Sequence, residues 1–390
     1  MVIVTVDQIS RLWPGIQICV ASYAKTERYR FGRCNLSGSQ GPVEFEFIRN
    51  SRRPLRVIRA LVARLAPSSF RRIVVKGDPY LAEFEKVDLV VDISGFALSD
   101  QRSAIRRLAY ATESLTAWAL RKPMFLLTQA FGPMSAPLTR AIAGWVLPRA
   151  ELVVARDQES TGHILGLKNG HEVALYQCTD MAMLLPGSEG PRWGDGSRPV
   201  LGIVPNVNLT THEERQGVAG AYVRQLIAVA QLGIELGAEV VMVCYETFPD
   251  RPIDDTWVAR AVISRVSPSK VHLVDTAGAT ELKGIIASLD FLVGARYHSV
   301  VAAAASATPF LAVGWAHKYS ELATEAGVPY AYIDGRTSSI ENVLSAVRVG
   351  WDRRDETRTL LDLGRSSLEA SARRAFEVMF ETWNATDRPD

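Results

Sequence analysis

The chain has 390 residues, 47% hydrophobic and 22% charged, with a net charge of +2. Domains typically hold about 100–200 residues, so this composition supplies two ordinary cores and excludes a disordered chain. The charge balance is too mild for a nucleic-acid partner, which needs a concentrated basic surface. The four cysteines, Cys19, Cys34, Cys178 and Cys244, form no C-x-x-C pair and read as reduced thiols, with neither a disulfide framework nor a zinc site.

In chain order, Met1–Val6 passes straight into a helical segment, Asp7–Trp13, without the glycine-rich turn that usually opens a doubly wound lobe. Strand candidates follow at Ile16–Ser22, Arg72–Lys76, Asp88–Ile93, Met124–Gln129, Leu152–Ala155 and Val173–Tyr176. The stretch Arg49–Lys76 carries nine Lys or Arg and no Asp or Glu, and within it Leu55, Ile58, Leu61, Val62 and Leu65 recur at helical spacing. That pattern predicts an amphipathic basic helix: a solvated face is the plainer reading, a peripheral membrane or polyanion contact the alternative. Pro186–Pro199 is dense in Gly, Pro and Ser without hydrophobic period and reads as a linker.

A second series of strands follows at Val200–Pro205, Glu239–Cys244, Val271–Val274, Phe291–Gly294, Phe310–Val313 and Tyr330–Ile333. Helical patterns separate them, among them Tyr222–Leu236, Asp255–Val266 and Leu282–Leu289, and a last helix covers about Asp352–Trp383. Continuous apolar strands alternating with helices imply right-handed βαβ units and parallel sheets. The expected fold is therefore α/β, two doubly wound Rossmann-like lobes with a cleft between them. The lobes run over 1–185 and 200–350, joined by 186–199 and followed by a C-terminal helix over 351–390. No secretory signal and no run of the ~20 apolar residues that span a bilayer is visible, so a cytoplasmic protein is expected, with the inner membrane face as the site of any membrane contact.

Ligands of such sheets bind beyond the carboxyl ends of strands, and chemistry-bearing residues gather there. In FLVGARYH a buried strand ends at Gly294, then Arg296 and His298 precede an Ala-rich helix, a setting that favours an anion. The plainer reading is an Arg paired with a neighbouring Asp and a His capping a helix. VVARD ends in Arg156 with Asp157 at a helix N-cap, either a second anion clamp or an Arg–Asp pair. WAHKY places His317 and Lys318 after the next strand, where Lys318 either neutralises phosphate or is simply solvated. In the first lobe Asp92 lies in an apolar run and serves as a backbone acceptor or as a base, Asp100 caps a helix or meets the acceptor, and Gln129 can hydrogen-bond a sugar. No metal-ligand spacing, P-loop, dinucleotide fingerprint or nucleophile elbow occurs; His163, His171, His212 and His272 share no pattern, so neither metal nor cofactor is expected.

Taken in order from about Val87 to Gly327, the segments DLVVDISGF, LTQAFGP, VVARDQES, CTDMAML, LGIVPN and LVGARYHSVVAAAASATPFLAVGWAHKYSEL resemble the polysaccharide pyruvyl transferase family. The resemblance implies an enzyme of glycosyltransferase-B-like, two-lobe architecture that moves the enolpyruvyl unit of phosphoenolpyruvate onto a sugar, usually as a cyclic ketal. On it, Arg296 and His298 fall on the family's R-x-H donor motif, Arg156 on its R-D arginine, and His317–Lys318 on its lysine position. Where many members carry Gly-Gly after the strand aspartate, this chain has Ser94-Gly95-Phe96. The implied roles are His298 as general acid and Asp92, or another first-lobe carboxylate, as base. Arg156, Arg296, Lys318 and His317 would hold phosphoenolpyruvate, while Gln129 and Asp100 stand on the acceptor side. The implied partners are a small-molecule donor and a sugar or glycolipid acceptor. Two rivals stand beside this: a nucleotide-sugar glycosyltransferase, with Asp275 or Asp334 holding a ribose, and a carbohydrate-binding protein without catalysis.

Overall fold

Strands without polar alternation are stable only when covered on both faces, and here they assemble into parallel sheets. The computed structural model describes residues 1–14, 18–22, 45–49, 53–210, 220–247, 253–266 and 270–385. By contact the chain divides into one unit of Met1–Met181 with Ser371–Asp390, and another of Ala182–Ala370.

The first unit runs α1 (Val2–Leu12), β1 (Ile18–Ser22), β2 (Phe45–Arg49), α2 (Arg53–Leu65), α3 (Ser68–Lys76), α4 (Pro79–Lys86), β3 (Val90–Asp92) and α5 (Ala104–Ala119). It continues through β4 (Met124–Gln129), α6 (Pro137–Val146), β5 (Leu152–Ala155), α7 (Gln158–Leu165) and β6 (Leu175–Gln177). Strands β3-β4-β5-β6 form a parallel sheet in that order, and β1 pairs with β2 in parallel. The core strands β4 and β5 are buried at every residue.

The second unit holds β7 (Val200–Val204), α8 (Ala221–Glu235), β8 (Glu239–Val243), α9 (Asp255–Ile263), β9 (Val271–Val274), α10 (Ala279–Ala287) and β10 (Phe291–Gly294). After it come α11 (Tyr297–Ala305), β11 (Phe310–Gly314), α12 (His317–Glu325), β12 (Tyr332–Asp334), α13 (Ile340–Asp352) and α14 (Arg354–Ala385). Its six strands are parallel in the order β12-β11-β10-β7-β8-β9. The chain fills one half of this sheet, returns to the centre, and fills the other, so the order reverses between β7 and β10. That reversal opens a crevice at the strand ends, the usual ligand position in such sheets.

Three expectations are corrected. Arg72–Lys76 is the end of helix α3, not a strand: Pro67 caps a new helix, Val75 alone of the triplet is fully buried, and Ile73 faces solvent. Strand β2 was not foreseen from its sequence. The stretch 186–199 belongs to the second unit instead of linking two. Ser188 N–H donates to Thr280 O at 3.0 Å, and Trp193 Nε1 donates to Ser288 Oγ at 3.0 Å. A Cβ on Gly190 would lie 2.5 Å from Gly284 O. Its glycine permits close approach to α10, and flexibility is not its purpose. The end of α14 joins the first unit, where Trp13 meets Phe380 at 5.0 Å and Trp383 at 6.4 Å between ring centroids.

Cys178 and Cys244 are buried free thiols, pushed up to about 11 and about 12 by desolvation. Cys34 and His212 lie outside the described residues. Among the described residues, no helix is long and apolar enough to cross a membrane.

Two helix-interior glycines predict opposite responses. Gly144 in α6 has nothing within 4 Å of a built Cβ, so Gly144→Ala gains roughly 0.5–1 kcal/mol of helix propensity. A Cβ on Gly350 in α13 would lie 2.6 Å from Cζ of the fully buried Phe291, so Gly350→Ala costs about 1–3 kcal/mol of overpacking. Urea midpoints of the two variants should move in opposite directions.

Candidate functional site

In the second unit the crevice is organised by a carboxylate. Asp255, in the first turn of α9, is fully buried and accepts four hydrogen bonds. Arg296 gives two, from Nε at 3.0 Å and Nη2 at 2.6 Å. The backbone N–H groups of Val207 and Glu246 give the others, at 3.0 and 2.9 Å. One side chain thus ties the segment after β7, the segment after β8 and the end of β10. A buried charge needs such a set of partners to offset its desolvation. Burial alone would lower the pKa of Arg296, but its hydrogen bonds and the charges of Asp255 and Glu246 hold it above the ordinary arginine value.

The guanidinium keeps one edge for another partner. Arg296 Nη1 lies 3.0 Å from Glu246 Oε2, and the Glu246 side chain is 48% exposed. An exposed ion pair is worth little, so an arriving anion can replace that carboxylate without disturbing the Asp255 clasp. Ala295 O, beside it, accepts from Asn206 Nδ2 at 2.8 Å and from Tyr319 Oη at 3.0 Å. The peptides after β7 and β10 are thereby fixed on both sides of the reversal.

His298 is the second residue of α11, and His317 and Lys318 are the first two of α12. Because β10 and β11 are neighbours, these two helix N-termini lie side by side. Tyr297 joins them: Lys318 Nζ sits 5.0 Å from its ring centroid, and its ring meets those of His298 at 5.7 Å and Tyr319 at 5.6 Å. His298 is exposed, while His317 and Lys318 are half-buried. Glycine makes the packing behind them feasible. A Cβ on Gly314 would lie 2.4 Å from Tyr319 Cγ, and one on Gly294 would lie 2.9 Å from Ser299 Oγ. Two helix N-termini, a lysine and two imidazoles make an anion-receptive, proton-carrying surface.

The first unit gathers its polar residues at the corresponding strand ends. Asp92 closes β3, and its Oδ1 accepts from Ser94 N at 2.8 Å and Ser94 Oγ at 2.5 Å. Desolvation raises its pKa, against the opposing hydrogen bonds of Ser94, Gln129 and Tyr110. Gln129, at the end of β4, is fully buried; its Nε2 donates to Asp92 O at 2.9 Å, and its Oε1 has no protein partner. Arg156, after β5, is buried against Asp180, Nη1 to Oδ2 at 2.9 Å.

Three sequence expectations change here. Arg296 and Arg156 are not uncommitted anion clamps: the plainer reading, an arginine paired with an acid, describes both, because a buried guanidinium is stable only beside a counter-charge. Asp100 is engaged within its own unit. Its carboxylate accepts from Ser135 N at 2.6 Å, Ala136 N at 3.0 Å and the Thr139 hydroxyl, so the start of α6 consumes it. Burial opposes ionisation of Asp100, but these hydrogen bonds and nearby Arg107 outweigh it and hold its pKa low. Sequence reasoning missed Asp255. Its signal was the doubled acid Asp254-Asp255, where Asp254 is the N-cap and accepts from Trp257 N at 3.1 Å, leaving the second acid for other work. Asp157 caps α7 as expected, accepting from Ser160 N at 2.7 Å.

A family model described as Polysaccharide pyruvyl transferase matches residues 2–317. Among solved structures, the chain resembles a UDP-N-acetylglucosamine 2-epimerase from Listeria monocytogenes, with a TM-score of 0.57 at 11% identity over 89% of this chain and 86% of that one. A UDP-glucose:anthocyanidin 3-O-glucosyltransferase in complex with UDP gives 0.54 at 10% identity over 99% and 96%. The Neisseria meningitidis UDP-GlcNAc 2-epimerase bound to UDP-GlcNAc gives 0.54 at 10% over 88% and 92%. At these identities the likeness is one of fold: two Rossmann-like units with parallel sheets, as in glycosyltransferase-B enzymes and these epimerases.

Two substitutions test the geometry. Asp255→Asn leaves Arg296 buried without its counter-charge and should cost about 3 kcal/mol or more in urea unfolding, whereas Glu246→Gln should cost under about 1 kcal/mol. Asp92 carries the opposite sign. Folding raises its pKa, so the native state holds that proton more tightly and stability falls as pH rises from the ordinary aspartate range through the raised value. Asp92→Asn should therefore raise the melting temperature at neutral pH and flatten that decline.

Proposed function

Because this chain belongs to the polysaccharide pyruvyl transferase family, we propose that it moves the pyruvyl unit of phosphoenolpyruvate onto two hydroxyls of a sugar, in a polysaccharide or glycolipid precursor, as a cyclic ketal. The observation that carries this reading is the pair of adjacent helix N-termini bearing His298, His317 and Lys318 beside Arg296. Phosphoenolpyruvate brings a phosphate and a carboxylate. The N-termini of α11 and α12, with Lys318 and His317, receive one anionic group. Arg296 Nη1 receives the other as Glu246 yields its place, its orientation kept by Asp255. Arg156, held in its pair with Asp180, has a structural part in this scheme.

The chemistry follows from the donor. His298 gives a proton to the methylene carbon, which becomes a methyl group, and the adjacent carbon becomes oxocarbenium-like. A sugar hydroxyl adds there and passes its proton to a carboxylate base. Phosphate then leaves with the electrons of its carbon–oxygen bond, and a second hydroxyl closes the ring. Of the two hydroxyl protons, one balances the new methyl hydrogen and the other departs with phosphate. Neither metal nor cofactor enters the scheme.

A nucleotide-sugar donor is the rival reading on this fold. The two carboxylates suited to a ribose stand in partly exposed ion pairs, Asp275 with Arg260 at 3.1 Å and Asp334 with Arg336 at 2.9 Å, so the choice of donor falls to experiment.

The test is phosphate release from phosphoenolpyruvate across a panel of sugar acceptors. His298→Ala and Lys318→Ala should each lower the rate ~100-fold or more, and turnover that persists in both variants removes the assignment. Thermal shift separates the donors: phosphoenolpyruvate should raise the melting temperature and UDP should not.

A further inference from the structure

Helix α2 is turned inside out. Its inward face carries Arg56, Ala60 and Ala63, all buried, with the Arg56 guanidinium 3.9 Å from the Tyr80 ring centroid. Its outward face carries Leu55, Ile58, Val62 and Leu65, and Leu65 is 87% exposed. An ordinary surface helix buries its large apolar side chains and exposes its cations. Helix α3, packed against α2, extends the apolar surface with Phe70 and with Ile73, which is 68% exposed. The cations Arg59, Arg72 and Lys76 are exposed among these residues, and no acidic residue occurs from Arg49 to Lys76.

A cavity of about 390 Å³ is lined in part by Arg64, in the last turn of α2. Arg121, Lys122 and Arg149 also line it, with Trp118 and Trp145, against one acid, Glu151. Arg64 lies 3.7 Å over the Trp118 ring and Arg149 lies 4.6 Å over that of Trp145. Arg121 has φ +57°, the left-handed position after α5 where glycine is usual. A non-glycine residue there sacrifices backbone comfort, which here sets a guanidinium at the cavity wall.

We propose that α2 and α3 dock the protein on an anionic phospholipid bilayer, with the apolar stripe entering the acyl boundary and the cavity receiving a lipid phosphate. Charge selects this occupant. A second copy of the chain would set one acid-free cationic face against another, whereas an anionic headgroup layer complements it. Exposed apolar side chains ringed by arginine, with tryptophans beside a cationic pocket, fit the boundary between headgroups and hydrocarbon.

Vesicle flotation of the full-length chain tests this, comparing phosphatidylcholine alone with phosphatidylcholine mixed with phosphatidylglycerol. Binding should require the anionic lipid and weaken with salt. Ile58→Glu and Leu65→Glu, at exposed positions, should each weaken it ~10-fold or more, given the cost of placing a carboxylate in the boundary. Arg121→Gly should weaken it roughly fivefold without lowering the melting temperature, because glycine suits the backbone there. Equal binding to neutral vesicles, binding to neither, or wild-type binding by Ile58→Glu overturns the proposal. So does a concentration-dependent dimer in sedimentation velocity that Ile58→Glu disperses while vesicles bind nothing, which would make the face a self-interface.

Discussion

The second unit depends on one buried charge. Asp255 is withdrawn from water and accepts hydrogen bonds from two backbone amides and from Nε and Nη2 of Arg296. Bringing an ionised carboxylate inside costs several kcal/mol before its partners are counted, so the arrangement persists only with all of them in place. Those partners come from three different strand ends. The crevice at the sheet's reversal point is therefore preorganised, and only its outer rim, where Glu246 meets Nη1, is loosely held. Around Arg296 a rigid floor thus carries an exchangeable rim.

Much of this was legible in the sequence, for a physical reason. Parallel strands covered on both faces must be apolar throughout, so Met124–Gln129, Leu152–Ala155 and Phe291–Gly294 announced themselves, with the glycine and arginine that follow. Periodicity failed where two structures share one signature. The triplet Ile73-Val74-Val75 suits a strand or a helix face, and only the neighbours available to it decide. The glycine-rich stretch 186–199 failed for a related reason: glycine marks flexible chain and close packing alike, and here it marks contact with α10.

The candidate site was legible in its residues but not in their pairings. FLVGARYH and WAHKY lie at neighbouring strand ends, as a parallel sheet demands of consecutive βα units. Nothing local predicts that Arg296 reaches a residue 41 positions away, or that Arg156 reaches one 24 positions away. Such partners are fixed by tertiary structure, and they change the chemistry: a paired arginine orients a site before it neutralises a ligand. Reading strand ends alone found the cations and overlooked the acid that commands one of them.

The Asp255–Arg296 clasp also has a direction. Two main-chain N–H groups point at position 255, and they stay wherever the fold places them, whatever side chain stands there. Exchanging the residues would preserve the ion pair on paper yet aim two donors at a guanidinium, which has no lone pair to offer. The polarity of this clasp is thus written by the main chain, and in homologous sequences the acid and the base should drift together or not at all, but never trade places.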